Sequence, residues 1–433
     1  MRIPPSPLVA VPAGFLLLAI IVAQAPADEF DRPPISYSTA SPANAVETLD
    51  RRLDDGTATL RRDAASGYLE AVLDALAVPV ASQTLVFSKT SLQQAKISPR
   101  NPRAIYFNDD IYVGYVRGGD VLEFAVADPA LGTVFYTLDQ SPSARPRFVR
   151  QTDDCLICHS GGQTRGVPGH VLRSVYPDNT GQPIYSAGSH RIDHATPLER
   201  RWGGWYVTGA ADSVEHLGNA TYRKTSAGNL PEPVARGAAG DLAATLAGYP
   251  TTSSDLVAHL VLAHQVHAHN VLTHASFSVR QALFREAALN RELGEPASHR
   301  WPSTETVLEA AAKSLVECFL FVGEPPLPGR VGGDSAFAQL FAAASPADCH
   351  GRSLKTLDLQ TRLLAHPCSH LIHTASFDGL PDELRTRFWQ RLDTALADRG
   401  GETAPQLSAG DRRAIREVLA ATKPGAPAGW AAP

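Results

Sequence analysis

Cys155, Cys158 and His159 stand in the order C-x-x-C-H, which is the order that covalent haem attachment needs. Two thiols three positions apart can add to the two vinyl groups of one haem. The imidazole beside the second thiol is then held under the iron as its proximal ligand. With five cysteines and fifteen histidines in 433 residues, a chance match anywhere in the chain has a probability of roughly one in five hundred. The motif predicts one covalently bound haem c, linked through Cys155 and Cys158 with His159 on the proximal side. Two other uses of the thiols stay open. A dithiol redox site opens a helix in a βαβ unit, whereas the loop Ser160-Gly161-Gly162-Gln163 follows here. A structural zinc site needs further ligands at suitable spacing, and no second C-x-x-C accompanies the first.

The opposite side of the iron is constrained by an absence. Met1 is the only methionine, so the His/Met ligation of many small electron-transfer cytochromes is excluded from the mature chain. The sixth position falls to a histidine, another side chain, water or nothing. A helix expected over residues 254–277 carries His259, His264, His267, His269 and His274. On a helical wheel His264 sits in the middle of the apolar stripe formed by Val257, Leu260, Val261, Ala268, Val271 and Ala275. His267 and His274 flank that stripe, and His259 and His269 fall away from it. A histidine on a buried face needs a polar partner or a metal; a backbone carbonyl serves as well as an iron. His170, His190, His194 and His216 lie in the irregular stretch after the motif, and Asp193 precedes His194. His366, His370 and His373 surround Cys368 and could form a second metal site. Arg150, Arg165 and Arg173 are candidate propionate partners or solvated charges.

The elements that position these residues change character along the chain. Leucine spacing from 45 to 76 predicts two helices broken near Asp54-Asp55-Gly56. Residues 84–140 hold five short β-branched and aromatic runs, at 85–87, 104–107, 111–116, 121–126 and 133–138. Asn108-Asp109-Asp110, Arg117-Gly118-Gly119 and Asp128-Pro129 stand between them as turns. This is an antiparallel meander leading straight into the motif. Beyond it the chain stays rich in loops and strands, and from about 251 it reads as helical to the end, with breaks at 296–302, 324–333 and 400–405. The fold class is α+β: a β-meander, a haem-binding loop segment, then a mainly helical C-terminal half. It is not the small all-helical cytochrome c fold.

Export is required for haem attachment in bacteria, and the N-terminus offers it. Arg2, an apolar run over 8–23 and Ala25-Pro26-Ala27 read as a signal peptide over 1–27; an uncleaved anchor is the alternative. No cysteine stands near the cleavage region to suggest a lipid anchor. An extended arm over 28–45, an α+β haem-bearing region over 46–230 and a helical region over 251–433 complete the expected organisation. With the signal removed no apolar run is long enough to span a bilayer, so the mature protein is expected in the periplasm or outside the cell. A net charge of −5 and a pI near 6.3 give no reason to expect nucleic acid. Cys349 and Cys368 could pair in an oxidising compartment, leaving Cys318 buried in an apolar helix, or all three could be unreactive thiols.

Several segments carry a resemblance. Residues 82–92, Ile97-Ser98-Pro99-Arg100, 106–110, 135–139, Gly166-Val167-Pro168-Gly169, 201–209 and Gly351-Arg352-Ser353-Leu354 together resemble uncharacterised exported bacterial proteins with a single c-type haem motif. The likeness runs over most of the mature chain. It implies a haem c protein of electron-transfer type, with a redox partner protein not indicated and no substrate. His264-Gln265 and His269-Asn270 match that pattern, whereas positions 366, 370 and 373 are more often aromatic in it. The expected function is one-electron transfer, with His264 as first choice for the distal ligand and His269 and His194 behind it. The alternatives are a haem enzyme of peroxidase type and a haem-based ligand sensor, each with an open distal site.

Overall fold

The computed structural model describes residues 29–142, 145–210, 214–225, 231–236, 239–332, 335–397 and 403–430. The expected signal peptide, 1–27, lies outside them. The segment after it is not an extended arm. Phe30, Ile35 and Tyr37 are buried, and the Tyr37 hydroxyl donates to the Thr133 carbonyl at 2.8 Å, because three large apolar side chains within eight residues gain more from the core than from water.

Two helices follow, α1 (Ala45–Asp54) and α2 (Leu69–Ala75). Asn44 caps α1, its side chain accepting from the Glu47 amide at 3.1 Å. The break between them spans 55–68 rather than a few residues, because Gly56 leaves the helix at φ 77° and Asp63 holds a second turn by accepting from the amides of Ala65 and Ser66.

The meander is present as expected: β1 (Thr84–Val86), β2 (Arg103–Phe107), β3 (Ile111–Val116), β4 (Val121–Asp128) and β5 (Gly132–Asp139). Its turns use the residues the sequence supplies. Asn108 Oδ1 accepts from the Asp110 and Ile111 amides, Gly118 adopts φ 70°, and Asp128 Oδ1 accepts from the Ala130 and Leu131 amides. A further strand, β6 (Phe148–Gln151), extends the sheet toward the motif. After the motif come β7 (Arg173–Val175), β8 (Ser189–Arg191) and β9 (Trp205–Tyr206). The main sheet is antiparallel throughout, in the order β6-β5-β4-β3-β2-β1-β9, while β7 and β8 pair separately. A second small ribbon joins β10 (Ala220–Arg223) and β11 (Glu232–Arg236).

Alternation gives the main sheet two different faces. One carries Leu85, Tyr106, Val113, Tyr115, Leu122, Phe124, Val134, Tyr136 and Leu138, all buried against Val46, Leu49, Leu69 and Leu73 of the N-terminal helices. The other carries Val86, Phe107 and Tyr112, which pack with Trp205 and the start of a long helix. A short helix, α4 (Ala239–Leu246), precedes that long helix, α5 (Leu256–Leu293). Asp255 caps α5 by accepting from the Ala258 amide at 3.0 Å, and Gly294 closes it at φ 70°. It outruns the expected end at 277. Its middle, from Ala268 to Val279, shares a core with α6 (Pro302–Phe319), α9 (Asp382–Leu396) and α10 (Ala409–Thr422) around Leu315, Phe319, Phe388, Leu392 and Leu419. Between them lie α7 (Ala336–Ala343) and α8 (Ala375–Asp378).

Residues 344–374 are loops and one 3-10 turn rather than helix. Pro346 and Pro367 interrupt any helix there, and Asp348 Oδ1 ties the amides of His350 and Arg352 into a turn. All five cysteines are free, so Cys349 and Cys368 are not paired; Cys349 is exposed while Cys368 is sealed in the helical core. Cys318 is buried in α6, as expected. Among the described residues no helix is long and apolar enough to cross a membrane.

Candidate haem attachment site

β6 delivers the chain to a single helical turn, α3 (Leu156–His159). Leu156 is buried and anchors the turn, while Ile157 is 81 % exposed. Cys155 is half-buried and Cys158 exposed. The His159 ring lies against Phe135 of β5, centroids 4.9 Å apart, and its Nδ1 is 2.9 Å from the Gly169 carbonyl. The Gly169 amide returns a bond to the His159 carbonyl at 2.9 Å. Only a protonated Nδ1 can bond to a carbonyl, so in the neutral ring Nε2 is the free lone pair, the form that binds a metal. Burial holds the His159 pKa below its ordinary value, which favours that neutral ring. Burial, reinforced by the Glu123 and Asp154 carboxylates, pushes the Cys155 thiol up to about 11. Reactive dithiols instead have lowered pKa values, so the environment of Cys155 is unlike that of a disulfide-exchange site.

Next to the motif the sheet face is incompletely covered. Val149, Thr137, Glu123, Gly114 and Ile105 stand opposite one another from β6 to β2. Val149 is 52 % exposed, and Thr137, Glu123, Ile105 and the neighbouring Ala125 are only half-buried. At Gly114 a Cβ would come within 2.2 Å of Arg103 Nη2; the missing side chain lets the Arg103 guanidinium lie over the strand and reach Glu123 at 2.5 Å. The strip offers the side chains of Val149, Thr137 and Ile105 beside two free thiols, with the Arg103–Glu123 ion pair lying across its middle. Arg173 is half-buried on β7, and its charge is felt at His159. Its guanidinium has no hydrogen bond or ion pair among the described residues. Arg165 is exposed. Arg150 points to the opposite face, donating to the Ala40 and Tyr37 carbonyls, so it is not placed for a propionate.

The histidines divide into groups. His170 is buried next to Gly169, packed on Tyr112 at 4.4 Å and 5.5 Å from the His269 ring. Asn270 of α5 clamps its main chain: Oδ1 accepts from the His170 amide at 2.7 Å and Nδ2 donates to its carbonyl at 2.8 Å. His269 donates through Nε2 to the Asp109 carbonyl at 2.8 Å. His259 bonds to the Tyr206 carbonyl at 2.9 Å. His259 and His269 do not turn away from the core as the wheel implied. Both are buried, because α5 is packed on several sides and each ring finds a carbonyl from the sheet region. His264 is buried as expected, but both ring nitrogens are engaged, Nδ1 with His194 Nδ1 at 3.3 Å and Nε2 with Ser369 Oγ at 2.7 Å. The structure thus brings His194 and His264 together, and among the described residues no hydrogen bond or ring contact joins either to the motif. His190 stands on β8 opposite Ser174, and the His216 ring packs on Trp202 at 5.5 Å. His370 faces Asp109 at 3.4 Å beside Lys355, and His366, His370 and His373 do not converge on one point. His194, His267 and Cys318 do.

The motif residues stand out in the sequence, whereas what orients them in the structure, the Gly169 carbonyl and the Asn270 clamp, does not. Gly166-Val167-Pro168-Gly169 and His269-Asn270 were visible only as parts of a resemblance. A Cβ on Gly169 would come within 2.3 Å of Asn270 Oδ1, which explains the glycine. Asn270→Ala leaves a buried amide and a buried carbonyl of His170 unpaired. It is expected to cost about 2–4 kcal/mol, read as a lowered denaturant midpoint. Comparison of the chain with protein-family models, with curated proteins and with solved structures finds no match.

Proposed function

We propose that the protein is an exported mono-haem c-type cytochrome that carries one electron at a time to and from a partner protein. The observation that carries this reading is α3 itself: two unpaired thiols on one turn, followed by an imidazole whose Nδ1 is fixed by the Gly169 carbonyl. Cys155 and Cys158 would hold the haem, His159 would be its proximal ligand, and Arg173, whose charge is felt at His159, would be a candidate partner for a propionate. The bound haem would supply a one-electron iron couple. The part-exposed strip from Val149 to Ile105 would give a flat macrocycle apolar contact at its ends, with the Arg103–Glu123 ion pair across its middle. The leader expected over 1–27 supplies the route to the compartment in which haem is attached.

A second reading, a ligand-binding or peroxidase-type haem protein, is favoured by one observation: His264 has both ring nitrogens bonded elsewhere, and His194 and His269 each bond through a ring nitrogen to groups away from the motif. Optical spectra of the haem-matured protein, ferric and dithionite-reduced, with and without carbon monoxide, separate the two. A carrier gives sharp low-spin bands unmoved by carbon monoxide. An open sixth position gives a high-spin spectrum that shifts. In either case His264→Ala is expected to leave the spectrum unchanged; a loss of low-spin character in that variant would restore His264 as the distal ligand.

A further inference from the structure

We propose that His194, His267 and Cys318 form a binding site for one zinc-class transition-metal ion, separate from the haem motif. Each of the three offers a ligand atom, and these atoms lie within 4.8 Å of one another. They come from three different places: the loop after β8, the middle of α5 and the end of α6. The residues are a thiol and two imidazoles, a set that selects zinc and its soft neighbours over magnesium, calcium or manganese. Their surroundings suit a metal. Cys318 and His194 are buried, whereas the side chain of His267 keeps 12 % exposure, giving an ion a way in from that edge. Asp193 Oδ2 is 4.0 Å from His267 Nδ1 but is not among the atoms that converge, so three protein ligands leave the fourth tetrahedral position to water.

The groups behind the ligands fit as well. A metal-bound imidazole normally gives its other N–H to a fixed acceptor. His194 Nδ1 meets His264 Nδ1 at 3.3 Å, and His264 Nε2 meets Ser369 Oγ at 2.7 Å. Metal binding through His194 Nε2 uses the tautomer in which this chain donates outward from His194 at each link. That nitrogen is 3.4 Å from the Val322 carbonyl, an acceptor that favours Nε2–H, so the proton moves to Nδ1 as the ion binds. The His264 ring is in turn stacked on Phe321 at 3.9 Å. Binding forms a metal–sulfur bond and releases the Cys318 thiol proton to water, so charge and protons balance with no redox step.

The test uses the full chain carrying Cys155→Ser and Cys158→Ser, which removes the other thiol pair able to hold an ion. Cobalt(II) is titrated in and then displaced with zinc. The expected result is one equivalent of cobalt per chain, thiolate-to-cobalt charge-transfer absorption with tetrahedral visible bands, and stoichiometric displacement by zinc. Cys318→Ser abolishes the charge-transfer band. His267→Gln, at the exposed edge where it leaves the core intact, weakens binding at least tenfold, and Cys349→Ser changes nothing. Absence of the charge-transfer band, or its persistence in Cys318→Ser, overturns the assignment, as does wild-type affinity in His267→Gln.

Discussion

Replacing Cys155 and Cys158 together by alanine is expected to yield a folded chain with no haem attached, a complete loss rather than a partial one. Neither thiol contributes much to the fold: Cys158 is exposed and Cys155 only half-buried, and they are not joined to each other. Circular dichroism and the thermal midpoint should therefore stay near those of the unmodified apoprotein, while covalent haem, read after denaturing electrophoresis by its peroxidase stain, disappears. The single variants are expected to keep one thioether and lose yield. His159→Ala should keep the covalent links and lose the low-spin spectrum, because the ligand rather than the tether is removed. A double variant that still carries covalent haem would contradict the assignment of these two thiols.

Acid should unfold this protein well above the usual carboxylate range. His259 is sealed between Trp202, Trp205 and the Tyr206 carbonyl, and burial pushes its pKa down to about 3. In the unfolded chain a histidine titrates near 6.5. Between those values the unfolded state binds a proton that the folded state refuses, so stability rises with pH. The contribution is whole above about pH 6.5 and is lost as the pH falls toward 3. At pH 5 this one residue costs about 2 kcal/mol relative to pH 7. His170 and His269 are shifted downward by burial as well. Both act in the same direction as His259, so the loss on acidification exceeds that of one residue. Denaturant titrations at pH 7, 6 and 5 should show the midpoint falling steeply, and His259→Gln should flatten the slope. Equal stability at pH 7 and 5 would show that these rings are protonated in the folded protein.

The meander was legible because its signals are local: β-branched and aromatic runs of three to six residues, separated by Asn-Asp and Gly turns that the structure uses as turns. The motif was legible for the same reason. What escaped was whatever depends on contacts across the chain. β6 holds a single exposed hydrophobic, Val149, beside two polar side chains, and joins the sheet only through pairing with β5. The helical wheel placed His264 correctly on a buried face but could not show that α5 is enclosed on nearly every side, which buries His259 and His269 too. Nor could it show that His264 faces His194, seventy residues earlier. The meeting of His267 on α5 with Cys318 on α6 depends on how two helices pack, for which neither residue carries a signal in sequence. The loop from 344 to 374 was hidden among apolar residues whose spacing suits a helix, although Pro346, Gly351 and Pro367 mark it.

Counting thiols on the exported, haem-matured protein decides whether one haem is bound covalently through Cys155 and Cys158. The intact mass is measured after unfolding and alkylation. The expected product is a chain heavier by one haem in which three of the five cysteines take the label, with peptide mapping placing the labels on Cys318, Cys349 and Cys368. A chain without the added mass, in which all five cysteines are alkylated, would contradict that attachment.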